Sequence, residues 1–257
     1  MNRAVLITGG SSGIGRALAL HYAGADTVIG LLGRDDVRLQ AVARDCESRG
    51  ARVEYAAIDV RDRLAMRAWL SGFDNRHATD LVFANAGIMG GVAPGTRLEP
   101  ADPAYELMEA NVQGVLNTVQ PLLEPMVRRR VGQIVLISSL AGFNALPDAP
   151  SYCASKSAVM TYGLALREAL RDTNVRVNVV CPGYISTPMT EQITGWKPGE
   201  LSAEEAARRI ARGLESNRAI IAFPFMLAWL SRLGNILPDW IRQFGSRPFR
   251  YKVKDEA

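Results

Sequence analysis

The sequence is poor in cysteine, histidine and lysine, and each shortage narrows what the protein can be. Its three cysteines, Cys46, Cys153 and Cys181, stand at no paired spacing. This argues against a disulfide framework and for a reducing compartment. The two histidines, His21 and His77, are isolated, so a metal site built on them is not expected. No apolar run reaches the roughly 18 residues of a membrane span. The short apolar run after Arg3 ends at Thr8-Gly9-Gly10, too short for a secretory core, and the expected location is the cytoplasm. Lysine occurs only at Lys156, Lys197, Lys252 and Lys254, against 30 Lys and Arg together. The arginines are scattered along helical stretches such as Arg167/Arg171 and Arg208/Arg209/Arg212. They read as solvated helix faces, and with no zinc-finger spacing or aromatic–basic motif no nucleic-acid partner is expected. The net charge of +4 is only mildly basic.

What remains is an ordinary globular composition, 48% hydrophobic and 22% charged over 257 residues, enough to bury a sizeable core. Short apolar runs alternate with longer helical patterns. The predicted strands are Ala4–Ile7, Thr27–Leu32, Arg52–Ile58, Asp80–Ala84, Gln133–Ser138, Arg176–Cys181 and Ala219–Phe223. Runs such as Ile134-Val135-Leu136-Ile137 are apolar on both faces, as strands covered by two helix layers must be. Helices are predicted near Ile14–Ala23, Val37–Ser48, Arg63–Leu70, Ala104–Arg129, Tyr152–Arg171 and Ala203–Glu215. Seven strands separated by helices imply an α/β fold: a three-layer, doubly wound, Rossmann-type sheet, mostly parallel. No repeat or Pro/Gly linker divides the chain, so residues 1–257 are expected to form one dinucleotide-binding and catalytic domain. In such sheets ligands bind where loops leave the carboxyl ends of the strands.

Thr8-Gly9-Gly10-Ser11-Ser12-Gly13-Ile14-Gly15 stands between the first strand and the first helix. Glycines at 9, 13 and 15 allow a sharp turn and close approach of the backbone to a pyrophosphate, which the helix N-terminus then attracts. The spacing G-x-x-x-G-x-G differs from the G-x-G-x-x-G fingerprint. The second strand ends Gly33-Arg34-Asp35. A carboxylate at that tip would hold a ribose 2′-hydroxyl, whereas an arginine pairs with a 2′-phosphate. Gly33 takes the tip and Arg34 follows, so NADP(H) is the preferred cofactor, with NAD(H) as the alternative through Asp35.

Tyr152 and Lys156 are four residues apart, which on a helix puts both on one face. A nearby ammonium is expected to lower the phenol pKa toward the range useful for proton exchange with an alcohol or carbonyl oxygen. Ser138-Ser139 ends the fifth strand, thirteen residues before Tyr152, and a hydroxyl there could hold the substrate oxygen; a turn cap is the plain alternative. Asn111 sits in a predicted helix, where Asn is a mediocre former; its side chain or a freed carbonyl could hold a water leading from Lys156. Asn85-Ala86-Gly87 ends the fourth strand.

Together these residues resemble the short-chain dehydrogenase/reductase family in its ~250-residue form. The matching positions are Thr8–Gly15, Asp59, Asn85-Ala86-Gly87, Asn111, Ser139, Tyr152, Lys156, and Pro182-Gly183 with Thr187, in the family's order. The resemblance implies a catalytic tetrad of Asn111, Ser139, Tyr152 and Lys156, the offset from Tyr152 favouring Ser139 over Ser138. It implies cofactor contacts from Gly9, Ser11, Ser12, Gly13, Ile14, Gly15, Arg34, Asp59, Val60, Asn85, Ala86, Gly87, Tyr152 and Lys156. Pro182, Gly183, Ile185 and Thr187 would border the nicotinamide. The implied reaction is hydride transfer between that cofactor and a small-molecule carbonyl or secondary alcohol, by a homodimer or homotetramer. Two other readings stay open: a catalytically silent nucleotide sensor or scaffold, and a sugar epimerase or dehydratase using the cofactor transiently.

Residues 188–201, with Met189, Ile193 and Trp196, are expected to form the substrate loop, with Lys197-Pro198-Gly199 mobile. The region 224–257 is apolar through Phe225, Met226, Leu227, Trp229, Leu230, Leu233, Ile236, Leu237, Trp240 and Ile241, and then basic at Arg242, Arg247, Arg250, Lys252 and Lys254. This tail resembles that of some bacterial short-chain reductases tied to cell-envelope or capsular polysaccharide synthesis. It could cover the substrate pocket, meet a partner subunit, dock on an anionic membrane surface or pack on its own core.

Overall fold

Each strand of the central sheet has a burial pattern that explains its place. In β1 (Arg3–Thr8), Ala4 and Leu6 enter one core cluster while Val5 and Ile7 enter the other. In β5 (Gln133–Ile137), Ile134 and Leu136 divide from Val135 and Ile137 in the same way. Successive side chains of a strand point to opposite faces, so a strand with no polar face needs a helix layer on each side.

The computed structural model describes residues 3–234 and 252–253. The other sheet strands are β2 (Thr27–Gly33), β3 (Arg52–Ala57), β4 (Leu81–Ala84), β6 (Arg176–Pro182) and β10 (Ile220–Phe223). The seven-stranded sheet has the order β10-β6-β5-β4-β1-β2-β3, and every pairing in it is parallel. Strand order reverses between β1 and β4, which opens a crevice above their carboxyl ends.

One face of the sheet is covered by α1 (Gly13–Tyr22), α2 (Asp36–Glu47) and α8 (Ala203–Glu215), through side chains such as Leu18, Leu39 and Ile210. The other is covered by α3 (Arg63–His77), α5 (Gly114–Arg129) and α6 (Pro150–Ala169), through Phe73, Leu122 and Val159 among others. Helix α3 runs two turns past the expected Leu70, its Asp62 cap holding the Leu64 and Ala65 N–H groups and Phe73 fully buried. The helix expected over residues 104–129 is divided. Helix α4 (Ala101–Met108) passes through a π-type turn at Glu109–Gln113 into α5. The wider turn contains Asn111, whose pull on a neighbouring loop is described below.

Residues 188–201 are more built than a loop. They hold the short helix α7 (Pro188–Glu191) and β8 (Ile193–Thr194), and end against β9 (Leu201–Ser202), which pairs with β7 (Ile185–Ser186). Lys197, expected in a mobile stretch, donates from Nζ to the Thr190 carbonyl at 2.5 Å. Helix α9 (Phe225–Gly234) buries Ala228 and Ser231 and leaves Phe225, Met226, Trp229 and Leu230 exposed. β11 (Lys252–Val253) pairs antiparallel with β8. Ile236, Leu237, Trp240, Ile241, Arg242, Arg247, Arg250 and Lys254, expected to continue the tail, lie outside the described residues. Among the described residues no helix is long and apolar enough to cross a membrane, and no cluster of His, Cys, Asp or Glu could hold a metal ion.

Candidate active site

A cavity of about 650 Å³ lies over the crevice, within the size range of small-molecule sites. The Gly-rich turn forms its floor. Gly9 has φ of +66°, and a Cβ there would stand 2.9 Å from the Ala86 Cα, so both the conformation and the space call for glycine. Gly15 is packed from behind: a Cβ there would fall on the Gly9 carbonyl oxygen and 2.7 Å from the Asn85 Nδ2. Asn85 ties the turn down, donating from Nδ2 to the Thr8 carbonyl at 2.8 Å and the Gly9 carbonyl at 3.3 Å. Helix α1 begins at Ser12 without a side-chain cap, and Ser11, Ser12, Gly13 and Ile14 line the cavity. The uncapped first turn offers free N–H donors and a partial positive charge, which fits a dinucleotide pyrophosphate.

At the far end of the cavity lie the tips of β2 and β3. Gly33 leaves no side chain at the tip, and a Cβ there would press on the Ser11 Oγ at 3.3 Å. Asp35 is engaged as the cap of α2: its carboxylate accepts from the Arg38 N at 2.9 Å and pairs with the Arg38 guanidinium at 2.6 Å. Those contacts hold the Asp35 carboxyl below its usual range, the backbone bond from Arg38 contributing most. Arg34 lines the cavity close to Asp59. Asp59 is itself gripped by Arg61 at 2.8 Å, which depresses its pKa chiefly through the side-chain hydrogen bond. Arg38 and Arg61 line the cavity as well, with no motif in the sequence to mark them. Arg38 stands four positions after Arg34, and that spacing is the one signal that could have indicated it.

The expected acid–base group meets on the opposite wall. Tyr152 and Lys156 lie on the first two turns of α6, both buried and both facing the cavity. Lys156 Nζ lies 5.7 Å from the centre of the Tyr152 ring and donates to the Ile137 carbonyl at 3.2 Å. The two serines divide their work. Both line the cavity, but Ser138 Oγ is buried and donates to the Lys156 carbonyl at 2.7 Å, while Ser139 shares a hydrogen bond with Tyr152. Ser139 also caps the following turn by accepting from the Ala141 N at 3.1 Å, so the cap reading and the site reading hold together.

Asn111 does not reach the cavity. Its side chain accepts from the Ile88 N at 2.8 Å and donates to the Ile88 carbonyl at 2.9 Å and the Ser155 Oγ at 3.1 Å. It therefore pins the loop after β4 to α6, and both of its amide N–H donors are spent on protein partners. Gly15 likewise lies behind the floor. The other expected residues, Val60, Asn85, Ala86, Gly87, Pro182, Gly183, Ile185 and Thr187 included, line the cavity.

The electrostatics differ from the sequence expectation at Tyr152. Burial pushes its pKa up to about 12, only partly offset by the Ser139 hydrogen bond. Burial also pulls Lys156 down to about 8. Burial desolvates both charged forms, and this overrides the lowering of the Tyr152 pKa that the spacing alone suggested.

The Lys156 shift has a measurable consequence. Because its folded pKa lies below 10.5, the ammonium costs stability below about pH 8, and that cost is relieved as pH rises from 8 toward 10.5. Lys156→Met keeps the stem and removes the charge. It is expected to be more stable than the native chain at pH 7 by on the order of 2 kcal/mol, the gap closing toward pH 10.5 in urea denaturation. A gap independent of pH would contradict the assignment.

The chain matches the family model of the short chain dehydrogenases over residues 3–198. The chain belongs to the short-chain dehydrogenase family. An uncharacterized oxidoreductase of Myxococcus xanthus is 33% identical over 249 residues, covering 96% of this chain and 98% of that one. A 3-oxoacyl-(acyl-carrier-protein) reductase of Thermotoga maritima is 32% identical, covering 81% of this chain and 82% of its own. Among solved structures, a 3-oxoacyl-(acyl-carrier protein) reductase of Brucella melitensis with bound NAD superposes with a TM-score of 0.74. It is 30% identical and covers 86% of this chain and 89% of its own. This short-chain dehydrogenase is thus an oxidoreductase of a family that uses NAD(P), and its sheet is the family's sheet.

Proposed function

We propose that the protein is an NADP(H)-dependent reductase or dehydrogenase of a ketone or secondary alcohol, with Tyr152 as its acid–base group. The observation that carries this reading is that one cavity is lined by the uncapped start of α1, by Arg34, and by Tyr152, Lys156 and Ser139 together. The Thermotoga and Brucella relatives are reductases of 3-oxoacyl groups by name, which supports a carbonyl as the reacting function. A nicotinamide dinucleotide, when bound, supplies or accepts the hydride.

The residues of the chain do the rest. Tyr152 gives a proton to the carbonyl oxygen, or takes one from the alcohol, at its hydroxyl. Ser139 orients that oxygen through its shared hydrogen bond. Lys156 spends one of its three N–H donors on Ile137, which leaves two for ribose hydroxyls, and its lowered pKa suits it to return a proton to Tyr152. Asn111 acts as a positioning residue, by fixing the Ile88 loop against α6 or through a carbonyl of its π-type turn. Gly9, Ser11, Ser12, Gly13 and Ile14 hold the pyrophosphate, with Gly15 keeping the turn closed. Asp59 and Val60 border the adenine, and Pro182, Gly183, Ile185 and Thr187 border the nicotinamide. The polysaccharide context rests on the tail resemblance alone, much of which lies outside the described residues.

The preference for NADP(H) follows from an absent tip carboxylate, an Asp35 already held by Arg38, and Arg34 beside them. Arg34→Ala is expected to raise the KM for NADPH about tenfold, while leaving the KM for NADH nearly unchanged. A carbonyl panel followed at the NADPH absorbance, run in parallel with NADH, tests both points. Equal losses with the two cofactors would refute the role of Arg34. Net NADPH oxidation would rule out the silent-scaffold and transient-cofactor readings.

A further inference from the structure

The charged side chains around the cavity are divided between its ends. Arg34, Asp35, Arg38, Asp59, Arg61 and Glu106 line it at or near the β2 and β3 tips. They are coupled there, through the Asp35–Arg38 and Asp59–Arg61 pairs and the pull of Glu106 on Arg61. Among the described residues, Lys156 is the one further charged side chain in the lining.

The wall beyond Tyr152 is different. It is built mainly of Met89, Leu146, Tyr184, Met189, Leu227 and Leu230, with Asn144, Thr190 and Ser231 as uncharged polar members. Met89, Leu146 and Tyr184 pack on the cluster that contains Tyr152. Leu227 and Leu230 come from α9, the helix that follows the last sheet strand. Leu230 both lines the cavity and is half-exposed, and its neighbours Met226 and Trp229 are exposed on the same helix. The apolar lining is therefore continuous with an apolar stripe that leads out of the cavity along α9. A charged group on this wall would lose its hydration with no counter-charge among the described lining residues beside it, whereas each methylene laid on it gains about 0.8 kcal/mol, roughly fourfold in affinity.

We infer that the site takes an uncharged ketone or secondary alcohol bearing an extended apolar chain, whose reacting carbon lies at Tyr152 and whose chain lies on Leu227 and Leu230 of α9. This rests on the reading of Tyr152 as the acid–base group. The wall selects against substrates with a carboxylate or phosphate along the chain.

The test measures binding apart from turnover. Methyl ketones of rising length, from butanone to dodecanone, and their ω-carboxylate counterparts are titrated calorimetrically into the full chain with NADP⁺ in excess, where reduction cannot occur. Affinity is expected to rise about two- to fourfold per added methylene and to fall at least tenfold with the terminal carboxylate. Leu230→Asp is expected to flatten the length dependence, and Leu230→Met to keep it; the half-exposed position makes both variants fit to fold, and thermal melting checks that they have. A flat series, preference for the carboxylates, or no binding by any ketone would overturn the inference. NADPH oxidation with the same ketones reports separately on the chemistry: length-dependent binding without oxidation would uphold the apolar wall and refute the reductase reading.

Discussion

Tyr152→Phe is expected to lower turnover about 10³-fold while leaving dinucleotide affinity unchanged. Phe fills the same space among Leu107, Ala149 and Ile193, so the apolar cluster stays packed and the variant loses only a hydroxyl. That hydroxyl is the one group that joins Ser139 to the ring beside Lys156, and no other phenol lies on the first turns of α6. Tyr184 also lines the cavity, but no hydrogen bond to Ser139 supports it, and its pKa too is raised by burial. The raised pKa of Tyr152 sharpens the expectation. A phenol held near 12 stays protonated at neutral pH, so without further help from its surroundings it is a poor base for alcohol oxidation. Stopped-flow NADPH oxidation gives the rate and fluorescence titration gives the affinity. Turnover within a few-fold of native would remove Tyr152 from the chemistry.

Gly15→Ala is expected to weaken dinucleotide binding on the order of 10²-fold, although alanine is the better helix former. The added methyl falls on the Gly9 carbonyl, which is backbone, and on the Asn85 amide, which is pinned by its bonds to the Thr8 and Gly9 carbonyls. The turn must open, and the first N–H groups of α1 move with it. Gly24→Ala is the matched control, since a Cβ there meets nothing within 4 Å. Circular dichroism checks the fold and fluorescence titration the binding. Native affinity in Gly15→Ala would mean that the turn does not hold the pyrophosphate.

Much of the scaffold could be read from local pattern. The seven strands were found within a residue or two, because runs such as Ile134–Ile137 have no polar face and permit only a sheet covered on both sides. The Gly-rich turn was legible for the same kind of reason: three glycines between a strand and a helix are needed only where a backbone comes close. The break in the helix over 104–129 was not legible. A π-type turn saves no apolar face and costs little propensity; it is fixed by what Asn111 reaches across the fold at Ile88 and Ser155. Nor could spacing tell that the Ser138 hydroxyl is spent on the Lys156 carbonyl, or that Asp35 is committed to Arg38.

Residue types and periods along the chain thus determined the layers, the strand ends where a ligand would sit, and the pairing of Tyr152 with Lys156 on one helix face. Tertiary packing alone decided the electrostatics and the shape of the site. Burial moved the Tyr152 and Lys156 pKa values in directions opposite in sign, because desolvation depends on every atom around a charge and not on its neighbour four residues away. The same packing brought Leu227 and Leu230, more than seventy positions beyond Tyr152, onto the wall of its cavity. A contact at that range is set by how α9 packs beside β10, which no local period in the sequence records.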